Sequence, residues 1–175
     1  MAKSDYNLDE LIEIINSYSV STGVDMRIVD GTGSTLHLSC ASKACSLCET
    51  ANVKTGGKCT KTHHYGCIQS DRFGGKYVFF CHLGLTHWVT PLYKDGELEG
   101  GVVAGPVTMV NPGDMTQEEY IQIGNIVDNP EKAHSEIPVK SPRAVDSLSQ
   151  LLYFSVFNKR FEDSATATDL QADIG

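Results

Sequence analysis

The first forty residues divide into a helix pattern and two strand patterns. Leu8, Leu11 and Ile15 recur at the spacing of one helix face, and Asn7 precedes them as a residue type that caps helix N-termini. Residues 24–29 then alternate in polarity, a turn rich in glycine follows, and residues 35–38 resume a strand pattern. We predict a helix over 7–18 followed by a β-hairpin.

The remaining chain contains strand patterns at 76–81, 86–93 and 98–110, and helix patterns at 60–72, 116–127 and 141–161. Thr116 and Glu119 have the spacing of a capping box. Residues 39–62 lack clear periodicity, which predicts an irregular insert, a loop with or without a short helix. The order of elements predicts an α+β fold with a five-stranded antiparallel sheet flanked by helices. PAS-like and GAF-like domains share this layout, here with a Cys-rich insert.

Length and composition favour one folded domain. The chain has 175 residues, of which 41% are hydrophobic and 21% are charged, which is enough apolar material for a core. We predict a single domain over 1–162. Residues 163–175 are small and polar, so we predict a disordered tail there.

Charge and hydropathy disfavour nucleic acids and membranes as direct partners. The formal net charge is −8, and Lys and Arg are scattered rather than gathered in a stripe. No apolar run reaches the ~20 residues that cross a bilayer. The first ten residues have no signal-peptide core. We therefore expect a cytoplasmic domain, in which thiols stay reduced. In another compartment, the cysteines would be candidates for disulfides.

Cysteines are the candidate chemistry of this chain. Six are present, and five of them lie between positions 45 and 81. Cys45 and Cys48 form a Cys-x-x-Cys pair, a spacing that lets one loop direct two sulfurs at one ion. Cys59 with either Cys67 or Cys81 would complete a tetrahedral site. We predict Cys45, Cys48, Cys59 and Cys81 as the ligand set, with zinc favoured and an iron–sulfur cluster second.

Two further interpretations of the cysteines stay open. His63 and Cys67 share a face of the predicted helix 60–72 and are reserve ligands next to Cys59. Cysteine is also common as a small buried hydrophobe, which is the preferred interpretation of Cys40.

A second candidate site is a pocket beside the predicted central strands. Tyr77 and Cys81 share one face of their strand, and His82 and His87 flank the bend before the next strand. Trp88 follows on that strand, although a pure core role for each aromatic remains an alternative. The predicted ligand-binding residues are Cys59, Tyr77, Cys81, His82, His87 and Trp88.

One segment, residues 58–107, carries a family resemblance. Its recognisable parts are Lys58 and Cys59, the string FGGKY at 73–77, Cys81, Gly84 and Leu85, Pro91, and Gly105 and Pro106. The chain resembles the PocR-type sensory domain of prokaryotic transcription regulators and histidine kinases over about residues 7–160. The resemblance implies a PAS-variant domain that senses small hydrocarbon derivatives such as diols. By position it favours Cys59 and Cys81 as functional cysteines.

These observations support three functional hypotheses. The first is a small-molecule sensor whose ligand changes the packing of the terminal helices. The second is a metal or redox sensor built on the cysteines. The third, a thiol or metal-dependent enzyme, has no supporting motif, so we expect no enzyme.

The resemblance also implies an output kinase or DNA-binding module, in another chain or removed from this one. The run LLYFSVF at 151–157 predicts a homodimer through the C-terminal helix, because an exposed apolar stripe is unfavourable in a monomer.

Overall fold

The computed structural model describes residue 3 and residues 5–164. The helices are α1 (Leu8–Thr22), α2 (Ala44–Lys54), α3 (Lys58–Arg72), α4 (Gln117–Gly124), α5 (Pro130–Ser135) and α6 (Pro142–Ser164). The strands are β1 (Met26–Asp30), β2 (Thr35–Ser39), β3 (Tyr77–Phe80), β4 (Thr86–Lys94) and β5 (Glu97–Val107), and a 3-10 turn covers Pro112–Asp114. Of the tail predicted at 163–175, the first two residues belong to α6 and residues 165–175 lie outside the described residues.

The strands form one antiparallel sheet in the order β2-β1-β5-β4-β3. β5 lies at the centre, where it pairs with β1 on one side and β4 on the other. The predicted five-stranded antiparallel sheet flanked by helices is therefore confirmed. In the part of the chain that the structure describes, no helix is long and apolar enough to cross a membrane.

One side of the sheet, which we call the apolar face, carries Met26, Ile28 and Trp88 and is covered by α1 and α6. Leu11 and Ile15 of α1 and Leu152 of α6 are buried there in the same cluster. The helix spacing that predicted α1 therefore marks the face that packs on the sheet. Its N-cap is also as predicted, because the Asn7 side chain accepts a hydrogen bond from the Glu10 amide.

The other side of the sheet, which we call the polar face, carries Arg27, His87 and Val89. α3 packs directly on it, and α2 packs on α3. Gly33, in the turn between β1 and β2, has φ +86°, and a Cβ there would overlap the Thr60 carbonyl oxygen. The hairpin can therefore approach α3 only because position 33 has no side chain.

The insert at 39–62, predicted as a loop with or without a short helix, is mainly helical, since α2 and the start of α3 occupy residues 44–54 and 58–62. The full extent of α2 was not predicted. α2 is rich in Cys, Ser and Thr and has little helical periodicity, so its own sequence does not favour a helix. It is stabilised by tertiary contacts instead, because Ala44, Leu47 and Ala51 pack against Leu83 and Ile123. The short α5 was not predicted either.

Candidate functional site

A polar cavity of about 420 Å³ opens on the polar face, between the β1–β2 hairpin and the helices α2 and α3. It is lined by Arg27, Ser34, Thr35, Leu38, Glu49, Asn52, Cys59, Thr60 and His63. Two of these residues, Cys59 and His63, are among the predicted site residues. The size is that of a site for a small organic molecule.

Arg27 is a buried cation in the wall of this cavity. The alternation of β1 places Arg27 on the polar face, while its neighbours Met26 and Ile28 point into the apolar core. Its Nη1 donates to Thr35 Oγ1 at 3.1 Å and lies 3.9 Å from a Glu49 carboxylate oxygen. The Arg27 side chain is only 9% exposed, whereas that of Glu49 is 62% exposed. The positive charge is therefore desolvated while its counter-charge lies in solvent.

His63 and His87 are neutral imidazoles buried next to each other, with ring centroids 5.9 Å apart. Burial, with the charges of His87 and Arg27 acting in the same direction, lowers the pKa of His63 to about 2. Burial likewise lowers the pKa of His87 to about 3, with Arg27 contributing in the same direction. A neutral imidazole offers one donor and one acceptor. His63 can therefore present either to a molecule in the cavity.

A row of stacked rings continues from His87 along the sheet edge. Phe79 stacks on His87 with centroids 5.4 Å apart, and Tyr77 stacks on Phe79 at 6.2 Å and on Phe73 at 5.6 Å. Of the predicted pocket residues, Tyr77 and His87 belong to this row. Neither lines the polar cavity, so each can influence it only through its neighbours.

Trp88 lies away from these residues, on the apolar face. It is fully buried, and its indole nitrogen donates to the Tyr18 hydroxyl at 3.1 Å. Tyr18 in turn donates to the Leu148 carbonyl at 2.6 Å. Trp88 therefore connects the sheet with α1 and α6, and it does not contact the polar cavity.

Of the free cysteines, Cys59 lines the polar cavity, and Cys48 and Cys81 lie near enough to it for their charges to interact. Cys59 Sγ lies 3.2 Å from His82 Nε2 and 3.9 Å from the Cys48 carbonyl oxygen. Cys81 is held by a tight turn, because its amide donates to the Leu85 carbonyl and its carbonyl accepts from the Gly84 amide. The structure therefore brings Cys59 and His82 into contact and places Cys48 and Cys81 in their vicinity.

Burial keeps these thiols protonated. It raises the pKa of Cys59 to about 11, with the nearby Cys81 acting in the same direction. It also raises the pKa of Cys48 and of Cys81 above the ordinary range. The charge of Arg27 opposes the shift at both Cys48 and Cys59. The thiolate, and not the thiol, is the reactive nucleophile and metal ligand. Burial therefore leaves these cysteines in their weakly reactive form.

The predicted ligand set is incomplete because Cys45 is bonded to Cys40 in a disulfide. The pairing overturns Cys45 as a free metal ligand and Cys40 as an isolated core residue. Asp25 fixes the segment between them, accepting hydrogen bonds from the Ala41 and Ser42 amides. Within the described residues, no group of three or more His, Cys, Asp or Glu side chains has the geometry to hold a metal ion.

The reserve ligand Cys67 is not part of the thiol group. It is buried in a separate cluster with Val29, Phe79 and Val103. Its sulfur also occupies the space beside Gly101, where a Cβ would lie only 2.6 Å from it. Cys67 therefore acts as a small apolar residue between α3 and the sheet.

A second cavity, of about 450 Å³, lies on the other side of Cys81. Its walls include Cys81, Thr86 and Glu119. Glu119 is buried in the predicted capping box, and its carboxylate is 3.4 Å from His134 Nε2. Its acidic group is therefore already engaged by protein partners.

Sequence reasoning missed Arg27, the central polar group of the site. The alternation of residues 24–29 predicted a strand, but it did not single out Asp25 or Arg27 as site residues. Both are buried. The available signal was the expectation of helices on one or both faces of the sheet, because a second covered face also buries the polar positions of a strand.

The comparisons with known proteins agree with this architecture. No curated protein and no solved structure matches the chain. A family model, the sensory domain found in PocR, matches residues 6–159 of the 175. This extent covers the whole sheet, the helices α1 to α5 and α6 as far as residue 159, and it confirms the resemblance carried by residues 58–107. The chain belongs to the family of PocR sensory domains.

Proposed function

We propose that this domain is a small-molecule sensor of a prokaryotic signalling or transcription regulatory system, and that its ligand, a small hydrocarbon derivative with polar groups, binds in the polar cavity. The observation that carries the proposal is the pair formed by Arg27 and His63. Both are buried, both line the cavity, and both have unused hydrogen-bonding capacity toward it. Such groups are satisfied only by water or by a ligand.

The proposed site uses a subset of the predicted pocket residues. Cys59 and His63 would contact the ligand directly. His82 would act through its contact with Cys59, and His87 through its contact with the His63 ring. Trp88 would serve as a reporter of the bound state rather than as a contact.

Signal transfer would run across the sheet. A ligand that moves Arg27 displaces β1, whose next residues, Met26 and Ile28, pack in the apolar core beneath α1. The hydrogen bonds from Trp88 through Tyr18 to Leu148 join that core to α6. A ligand with different affinities for two arrangements of these helices would shift their populations.

The test is a titration of the full chain with C3 to C5 diols, followed by calorimetry and by fluorescence. The chain contains one tryptophan, so tryptophan emission, excited at a wavelength that tyrosine does not absorb, reports on Trp88 alone. We expect saturable heat together with a shift in emission. His63→Leu should abolish both signals, and Lys61→Ala, at an exposed position of α3, should leave them unchanged. Binding without any change at Trp88 would contradict the proposed signal route.

A second candidate function, a metal or redox sensor, is favoured by the contact between Cys59 and His82 beside Cys48 and Cys81. The thiols would have to move closer to hold zinc or an iron–sulfur cluster, and an ion would lower their raised pKa values on binding. The test is elemental analysis with an absorption spectrum, on protein purified without oxygen or chelator. Near-stoichiometric metal that is lost in Cys59→Ser and Cys81→Ser supports this function. Absence of metal contradicts its metal form.

We further propose that the domain is not an enzyme. Its family is described as a sensory domain, and its free thiols are held in their weakly nucleophilic form. The partner of this sensor would be a kinase or DNA-binding output module, in a cytoplasmic setting.

A homodimer through α6 is part of the same proposal. Leu151 and Phe154 are exposed on α6, at 50% and 43%, and lie four or fewer residues apart on its surface. Their burial against a second copy would remove apolar area from water. Sedimentation should give a dimer for the natural chain and a monomer for Phe154→Glu. A monomeric natural chain would contradict the dimer.

A further inference from the structure

The class of ligand can be argued further from the charge of Arg27. Its guanidinium is buried, and among the described residues only Glu49 places a carboxylate within 4 Å of it. The buried acid nearby, Asp25, already accepts hydrogen bonds from Ala41 and Ser42. A buried charge without a buried partner is unfavourable, and a bound anion would remove that cost.

The geometry of the guanidinium favours one kind of anion. Nη1 makes both of the contacts to Thr35 and Glu49. No described residue accepts a hydrogen bond from Nη2 or Nε. A planar fork with free donors matches the two oxygens of a carboxylate. A neutral diol would satisfy one or two donors but would leave the charge uncompensated.

The opposite wall supplies a group for a second polar atom. His63 is 5% exposed, lines the cavity, and has no hydrogen-bond partner among the described residues. The Asn52 side-chain amide and the Thr60 hydroxyl are engaged with each other, because Asn52 Nδ2 donates to Thr60 Oγ1. The Thr35 and Ser34 hydroxyls are likewise bonded, to Arg27 and Thr32. Apart from the exposed Glu49, the polar groups with free capacity are therefore a cation on the sheet and a neutral imidazole on α3.

From this pairing we propose that the ligand of the polar cavity is a small organic carboxylate bearing a hydroxyl or keto oxygen. The carboxylate binds Arg27, and the second oxygen meets His63. Glu49 is the exposed competitor that partly neutralises Arg27 when the ligand is absent. This inference rests on the proposed function, and it replaces a neutral diol by an anion as the preferred ligand.

The experiment compares two probes of one carbon skeleton, lactate and propane-1,2-diol, by calorimetry on the full chain. Lactate should bind at least about tenfold more tightly, as expected for charge-assisted hydrogen bonds to a buried cation. Arg27→Met should remove this preference. Because Arg27 is buried, a second variant leaves it in place: Glu49→Gln removes the competing carboxylate. It should increase the affinity for lactate by about threefold and leave the affinity for the diol unchanged, as expected for a partly exposed charge.

Glu13→Gln is the matched control, with the same change of net charge on an exposed position of α1. It should leave both affinities unchanged. Equal affinity for the two probes, with no effect of Glu49→Gln, would overturn the carboxylate and retain the small-molecule site. If inorganic phosphate binds and lactate does not, the proposal that the ligand is an organic carboxylate is wrong. If neither the acids nor the diols give heat or a Trp88 shift, the proposed function fails together with the inference.

Discussion

The two faces of the sheet are built from the same strands but packed in opposite ways. On the apolar face, Trp88 and Ile28 are fully buried among aliphatic side chains of α1 and α6. On the polar face, Arg27 and His63 are also buried, but they line a cavity of about 420 Å³. Alternate residues of one strand, such as Met26 and Arg27, therefore contribute to the apolar core and to the wall of the polar cavity respectively.

The contrast suits the proposed function. Apolar burial contributes about 25 cal/mol per Å², which makes the apolar face the main source of stability. Buried polar groups around a cavity cost free energy until a ligand satisfies them. Under the proposed function, a ligand on the polar face would therefore favour one arrangement of the helices that pack on the apolar face.

The strongest test of the apolar face is Trp88→Ala. Loss of the fully buried indole should lower the free energy of unfolding by about 3 to 5 kcal/mol. Val78→Ala is the control, because Val78 pairs with Trp88 across the strands but is 39% exposed, and it should cost less than about 0.5 kcal/mol. Denaturant unfolding followed by circular dichroism measures both. Equal losses of unfolding free energy in the two variants would show that burial on the apolar face is not the main source of stability.

The second largest loss of stability is expected where the β1–β2 hairpin contacts α3 on the polar face. Gly33→Ala should cost about 3 kcal/mol, because it combines a positive φ with overlap at the Thr60 carbonyl. Gly74 has the same φ of +86° with open space around it, so Gly74→Ala should cost only about 1 kcal/mol. Thermal unfolding of the two variants measures the difference between them, which is the free-energy cost of the overlap at position 33. Similar losses of stability would mean that the hairpin does not contact α3 closely.

The disulfide ties the outer layer of the polar face to the sheet. Cys40 and Cys45 are separated by five residues, so closing this short loop should stabilise the folded chain by about 2 kcal/mol. In oxidising buffer, the free energy of unfolding of Cys40→Ala should be lower than that of the natural chain by this amount. In reductant, the natural chain and the variant should unfold together. A variant as stable as the oxidised natural chain would show that the bridge does not constrain the polar face.

The smallest expected effect is a dependence of the unfolding free energy on pH, which arises from buried His87 on the polar face. His87 has a pKa lowered to about 3 by burial, whereas an unfolded histidine titrates near 6.5. Between these values the unfolded chain binds more protons, so stability falls as pH drops below about 6.5. His87 should contribute a loss of about 1.4 kcal/mol at pH 5.5. His87→Gln should flatten the slope of unfolding free energy against pH over 7 to 5.5. An unchanged slope would contradict a neutral, buried His87.

Local patterns in the chain predicted α1, α3, the capping box of α4 and the order of five strands, because each depends on periodicity or on caps within a few residues. The spacing of the cysteines also led to a proposed ligand set of Cys45, Cys48, Cys59 and Cys81, from which the disulfide removes Cys45. α2 was missed because its helix depends on Ala44 and Leu47 packing against Leu83, which is distant in sequence.

The sequence thus determined the α+β class, the sheet and the family, because alternation, caps and the 58–107 motifs are local properties of the chain. The tertiary structure alone decided that Cys45 pairs with Cys40 and that Trp88 and His87 lie on opposite faces. It also decided that Arg27 is buried. A side chain acquires burial, a partner and a shifted pKa only from what packs across from it, and the residues opposite Arg27 belong to helices 20 to 40 positions away.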